Sequence, residues 1–258
     1  MATDRKNHQA KAADLLGRAM PNRPATPSTA PDSPDSAWSS EEVKGMKRLF
    51  DAIMRSGYKP DDPDAFGSCP PVCPSWIWDE RYTEQYNAVI CWILGIPFRC
   101  HGMLISPSRG LWLAGNLGTG KSTLMRAVKA FCRVYSDPRS PNLPSHMLWR
   151  HAKEIVSDYE ESGPSAIKDL ADVANPLIID DLGTENMSAM RYGNVRNVIE
   201  EILSRRYDRG FSTMVTTNFT MDDVRQAYRD RIYDRIRESF SIIYFLGPSF
   251  RENFNPRL

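Results

Sequence analysis

Nowhere in its 258 residues does the chain carry an apolar run approaching the roughly eighteen residues that suggest a membrane-spanning helix. No such helix is expected. Residues 1–20 are polar and lack the apolar centre of a secretory leader, which leads us to expect a cytoplasmic protein. Charge of one sign is also missing. The 33 Lys and Arg against 32 Asp and Glu leave a net +1, which excludes a strong global pull on nucleic acid but leaves a local basic surface open. The five cysteines are irregularly placed, as suits a reducing compartment. The 41% apolar content is enough for a substantial core and too high for a mostly disordered chain.

Composition divides the chain. Residues 1–37 end in a stretch rich in Pro, Ser and Thr and read as a flexible arm. Residues 38–100 hold two helical patterns. In the first, Ser39 and Glu42 make a capping box, Val43, Met46, Leu49, Phe50, Ile53 and Met54 recur at helical spacing, and Gly57 is a stop. The second runs from about Glu80 to Leu94 with Tyr82, Tyr86, Val89, Ile90, Ile93 and Leu94 on one stripe. These helices form a small module of their own or pack on the larger domain. Residues 101–258 alternate short apolar runs with helical periods: GLWLAG, a helix from Lys121, HMLWRHA, a helix from about Lys153, NPLIIDD, a long helix to Arg209, STMVTTN, helices to Glu238, then SIIYFLG. That is the layout of an α/β fold with a mostly parallel sheet flanked by helices.

GNLGTGKS, Gly115 to Ser122, matches the Walker A pattern in full. Gly115, Gly118 and Gly120 allow a tight turn after a buried strand, and the N–H groups of Asn116, Leu117 and Thr119 belong to the phosphate cradle. Lys121 supplies a positive charge for the β- and γ-phosphates of ATP. Ser122 offers its hydroxyl to Mg²⁺, and Thr123 continues the helix whose N-terminal end faces the anion. About sixty residues on, PLIIDDLG reads as an apolar strand ending in two carboxylates, a Walker B element. Asp180 is the better candidate for the Mg²⁺ shell and Asp181 for polarising the attacking water. Asn218, ending the STMVTTN strand, reaches between the two strands to orient that water, or serves a turn before the helix that Thr220 and Asp223 cap. Arg229, Arg231, Arg235, Arg237 and Arg251 follow, and one arginine given across a subunit boundary can neutralise charge on the γ-phosphate.

With GLWLAGNLGTGKSTLM, LIIDDLG, RRYDRGFSTMVTTNFT, YRDRIYDRI and FLGPSFR in this order, residues 102–253 resemble the DnaC/IstB group of AAA+ ATPases. That group includes bacterial replicative helicase loaders and the ATPase subunits of some transposons. The resemblance implies an ATP- and Mg²⁺-dependent P-loop NTPase of AAA+ type that loads or remodels a replicative ring helicase, or alternatively assists a transposase. It makes Asn218 the sensor of the third motif, Arg235 the arginine finger reaching a neighbouring subunit's ATP, and Arg251 the second sensor. It also implies single-stranded DNA contact and self-association through the arginine-finger face. Two departures stand out. Only seven residues follow Arg251, so no C-terminal helical lid is expected. Residues 1–100 carry no family motif and are expected to hold the helicase.

Some members of that group bind zinc near the N-terminus. Cys69, Cys73, Cys100 and His101 are the residues to weigh here, although adjacent Cys100 and His101 point apart in an extended chain. Cys91 and Cys132 read as core. For DNA, the scattered Arg150, Lys153, Arg191, Arg196, Arg205 and Arg206 are candidates, and Trp38, Trp76, Trp78 and Trp149 are able to stack on bases.

Overall fold

A reciprocal cap starts the first helix. The Glu42 backbone N–H donates to Ser39 Oγ at 3.3 Å and the Ser39 N–H to Glu42 Oε2 at 2.8 Å. The computed structural model describes residues 38–55, 79–135, 137, 139–140, 146–185, 187, 189–191 and 194–250. The elements are α1 (Ser40–Arg55), a 3-10 turn (Glu80–Tyr82), α2 (Thr83–Ile93), β1 (Phe98–Cys100), β2 (Met103–Ile105), β3 (Gly110–Gly115) and α3 (Lys121–Val134). Next come β4 (Leu148–His151), α4 (Ala152–Ser162), α5 (Lys168–Asp172), β5 (Leu177–Leu182), β6 (Ala189–Arg191) and β7 (Asn194–Arg196). The chain continues through α6 (Val198–Asp208), β8 (Thr213–Thr217), α7 (Met221–Ser239) and β9 (Phe240–Phe245). The arm 1–37, Gly57, Cys69, Cys73, Trp76, Trp78 and Arg251 lie outside the described residues, as does the segment after Arg251 on which the expected absence of a lid rests.

The central sheet has five strands, all parallel, in the order β4-β5-β8-β3-β9. Alternate residues feed opposite faces. Leu111 and Leu113 join a core with α1, α2 and α3, while Trp112 and Ala114 join a second core with α4 to α7. Both faces are covered, which is why residues 111–114 and 177–179 read as unbroken apolar runs. No described helix is long and apolar enough to cross a membrane.

α1 and α2 pack directly on the larger domain. Met46, Leu49, Phe50 and Ile53 are at most 1% exposed and share one cluster with Leu124, Val128 and Phe131 of α3. The Phe50 and Phe131 rings lie 5.8 Å apart. Trp92 Nε1 donates to the Arg109 carbonyl at 2.7 Å, and Gln85 Nε2 to the Tyr244 carbonyl at 3.0 Å. A boundary at residue 100 therefore cuts through one apolar core. The apolar stripes of both helices are used inside the molecule.

The long helix foreseen up to Arg209 begins only at Val198. Ahead of it β6 and β7 pair antiparallel, Ala189 opposite Arg196 and Arg191 opposite Asn194. Asn197 has extended backbone and its side chain accepts the Glu200 N–H at 3.0 Å, a cap that fixes the start of α6.

The basic candidates for DNA also divide. Arg206 is 1% exposed and donates to the carbonyls of Leu170, Val173, Asn175 and Ser212 and to Thr213 Oγ1. Burial pulls its pKa down to about 10. It fastens α6 to the loop before β5 and has no free face for a phosphate. Arg150 is buried and pairs with Asp158, and Trp149 is buried too. Arg205 pairs with Asp172 and Glu201. Trp38 gives its Nε1 to the Leu94 carbonyl and its ring face to Arg139.

Candidate functional site

β3 delivers the Walker A loop and α3 receives it, with Lys121 as the first helical residue. Gly118 and Gly120 take positive φ, 77° and 84°, at the places where the chain reverses. At Gly115, a Cβ would strike the Phe245 carbonyl of the neighbouring strand. Thr119 is buried and its hydroxyl donates to the Asn116 carbonyl at 2.8 Å, whereas Leu117 is 62% exposed at the tip. Ser122 and Thr123 occupy the first turn of α3 and are half-buried. Lys121 is 4% exposed. Its Nζ donates to the carbonyls of Gly115 (2.9 Å) and Asn116 (2.7 Å) and to Asn218 Oδ1 (2.9 Å).

The loop is tied to the segment after β9. Asn116 donates through its backbone N–H to the Phe245 carbonyl at 3.1 Å and through Nδ2 to the Gly247 carbonyl at 3.0 Å. The Phe250 N–H donates to the Gly118 carbonyl at 2.9 Å. Tyr82 packs its ring 5.2 Å from Phe245 and 5.8 Å from Phe250, and the Arg81 guanidinium lies over Phe250.

β8 lies between β3 and β5, so Asn218 stands at the carboxyl end of the sheet between the Walker A and Walker B strands. Thr220 and Asp223 cap α7 reciprocally, leaving Asn218 free of that duty. On β5, Asp180 is fully buried and Asp181 half-buried. Thr216 of β8 links them: its hydroxyl donates to Asp180 Oδ1 at 2.5 Å and accepts the Asp181 N–H at 2.9 Å. His151, at the end of β4, brings Nδ1 to 3.4 Å from Asp180 Oδ2. Reading along the sequence missed Thr216 and His151. The signal for each was a polar residue near the carboxyl end of a buried strand.

Burial, then the charge of Asp180, pushes the Asp181 carboxyl above the ordinary carboxylate range, while His151, Lys121 and Arg126 pull it back. A raised carboxyl penalises the folded state once ionised. As pH rises, the unfolded chain loses that proton first, so folded-state stability falls between the unfolded and folded pKa. Asp181→Asn removes the penalty, and Asn tolerates the positive φ of 54° found there. The variant is expected to melt above the parent at pH 7 in metal-free buffer, with the gap closing below about pH 4. A gap that persists in acid would defeat this electrostatic account.

Arg235 is held by α6. It pairs with Asp208 at 2.8 Å, donates to Ser204 and lies over the Tyr207 ring. Neither carboxylate that adjoins it on its own helix takes part; Glu238 instead accepts from the Tyr207 hydroxyl. Away from this site, Cys100 and His101 converge instead of pointing apart, because His101 takes φ 47° at the β1–β2 turn. Glu84 approaches both, Gln85 Nε2 lies 3.0 Å from His101 Nε2, and burial pushes the Cys100 thiol up to about 11. Cys91 and Cys132 are buried.

No family model and no curated protein matches the chain. Solved structures do. One of a candidate primosome component from Streptococcus pyogenes serotype M3 is 19% identical with TM-score 0.47, covering 66% of this chain and 82% of that one. One of the DnaC helicase loader is 22% identical with TM-score 0.40, covering 53% and 78%. One of AMPPCP-bound DnaA from Aquifex aeolicus is 14% identical with TM-score 0.44, covering 66% and 48%.

Proposed function

We propose that the chain is an AAA+ ATPase that hydrolyses ATP within an oligomeric assembly and loads or remodels a replicative DNA helicase. One observation carries the hydrolytic part. Lys121, Asn218 and the pair Asp180 and Asp181 stand at the carboxyl ends of three adjacent parallel strands, joined by the Lys121–Asn218 and Thr216–Asp180 hydrogen bonds.

Each group then has a chemical task. The N–H groups of the glycine-rich loop and the N-terminal end of α3 face phosphate, and Lys121 adds a positive charge whose attraction grows as negative charge develops on the phosphate. The buried Asp180 oxygen without a hydrogen bond, together with the Ser122 hydroxyl, suits a Mg²⁺ shell. Bound there, Mg²⁺ neutralises phosphate charge. Asp181 accepts a hydrogen bond from the attacking water, and Asn218 fixes that water's orientation. The helicase as partner, and single-stranded DNA as a further contact, follow from the resemblance of the ordered motifs to the DnaC/IstB group.

Arg235 is assigned to a neighbour's site, where its guanidinium exchanges Asp208 and Ser204 for the γ-phosphate. Arg235→Ala and Lys121→Ala are each expected to be inactive alone. Mixed in equal amounts under conditions where assembly is demonstrated, they should recover about a quarter of wild-type turnover, because half the sites keep Lys121 and half of those meet an intact Arg235. Full activity of Arg235→Ala as a proven monomer would overturn the assignment.

A further inference from the structure

The Walker B strand ends in an irregularity. Pairing between β5 and β8 shifts between Ile179 and Leu182, and Asp181 takes a positive φ of 54°. In a regular strand, consecutive side chains face opposite ways. Here the irregularity brings two consecutive carboxylates to one place. β4 lies beside β5 in register, with His151 opposite Asp180. One ligand atom from each of His151, Asp180 and Asp181 lies within 4.8 Å of the other two.

A second observation points into this cluster. Asp180 is 0% exposed, and its Oδ2 has no hydrogen-bond partner among the described residues, although Oδ1 is held by Thr216. The nearest polar group to be named is His151 Nδ1 at 3.4 Å. A buried carboxylate oxygen is costly without a partner, and a cation supplies one. His151 is 30% exposed, so the cluster has an approach from solvent. The other group of this kind, Glu84, Cys100 and His101, has an exposed carboxylate that already accepts the His101 N–H.

We propose that His151 and Asp180 ligate one divalent cation directly while Asp181 faces its water shell, with the imidazole favouring a first-row transition ion such as Mn²⁺ over Mg²⁺. The proposal rests on the phosphate-site reading above and adds a nitrogen ligand to it. Mg²⁺ keeps several waters and prefers oxygen. An imidazole donor binds transition ions more readily, and the Asp180 carboxylate suits Mn²⁺ as well. The His151 ring accepts the Glu154 N–H in the cap of α4, and ligation exchanges that donor for the cation.

The test uses the full chain with Mn²⁺ and inorganic tripolyphosphate, which contains no nitrogen. Pulsed electron paramagnetic resonance should show ¹⁴N coupling to bound Mn²⁺, replaced by ¹⁵N coupling when histidine alone is ¹⁵N-labelled. His151→Asn keeps a side chain able to cap α4 but has no imidazole. It should lose the coupling and bind Mn²⁺ at least about tenfold more weakly. Its Mg²⁺-dependent binding of tripolyphosphate should weaken several-fold less than its Mn²⁺-dependent binding, since Mg²⁺ depends less on the imidazole. Mn²⁺ bound without histidine coupling, or with equal affinity in His151→Asn, overturns the proposal and leaves the phosphate site standing. Failure of the wild type to bind tripolyphosphate with either ion overturns both.

Discussion

Lys121→Ala is expected to reduce ATP turnover by about 100- to 1,000-fold, the usual effect of removing one preorganised donor from developing charge. Nucleotide binding should weaken as well. The structure sharpens what else to measure. The ammonium holds the carbonyls of Gly115 and Asn116 and the side chain of Asn218, so its loss loosens the loop and uncouples β8 from it. The apolar cores contain no part of that contact, and thermal unfolding should remain cooperative. Lys121→Arg keeps the charge on a larger, planar head that does not match this set of acceptors, and turnover should stay low. Near-normal hydrolysis by folded Lys121→Ala would remove the P-loop assignment.

A chain begun at residue 101 is expected not to fold. It lacks α1, α2 and β1, and with them Met46, Leu49, Phe50, Ile53, Tyr86 and Trp92, all at most 1% exposed in the described structure. Burying a large apolar side chain contributes about 1.5–3 kcal/mol. Five or six such losses match the roughly 5–15 kcal/mol by which whole domains are stable. The outer face of α3 would also lie open to solvent beside the phosphate loop. Near-ultraviolet circular dichroism should show no fixed aromatic environment, and heating should give no cooperative transition. A chain begun at residue 38 is the control, since it keeps every described element. A cooperative transition with nucleotide binding from residue 101 onward would restore an independent ATPase core. If the helicase is held by residues 1–100, its contact must use the outward side of α1 or the stretches around the two helices, because α2 is buried along most of its length.

What was legible in the sequence was local. Ser39 with Glu42 and Thr220 with Asp223 signal helix starts because each cap closes within three residues. The Walker A glycines are readable because a tight phosphate loop restricts backbone angles at fixed spacing. What the sequence hid depends on partners far along the chain. Whether α1 and α2 form a module of their own or pack on the larger domain depended on α3, which has matching apolar residues. Arg206 looked like any helical arginine until five acceptors from α5, the following loop and the start of β8 enclosed it. The helix expected before Arg209 was overextended, although Asn197 followed by Glu200 offered the same kind of cap used elsewhere. The approach of His151 to Asp180 needed the strand order, which no local pattern contains.

That strand order also bears on how the molecule is made. β3 is flanked by β8 and β9, both encoded long after it. A ribosome releases the Walker A strand with neither neighbour yet synthesised, and parallel partners so distant in sequence are slow to find. Until β8 arrives, Lys121 lacks Asn218, and until the stretch from Phe245 to Phe250 arrives, Asn116 and Gly118 lack the chain that secures them. A nascent chain stalled before β9 therefore exposes a glycine-rich loop with one side missing. The surroundings of the glycine-rich loop are among the last parts of the protein to be finished, although its sequence pattern is already present when fewer than half of the residues have been translated.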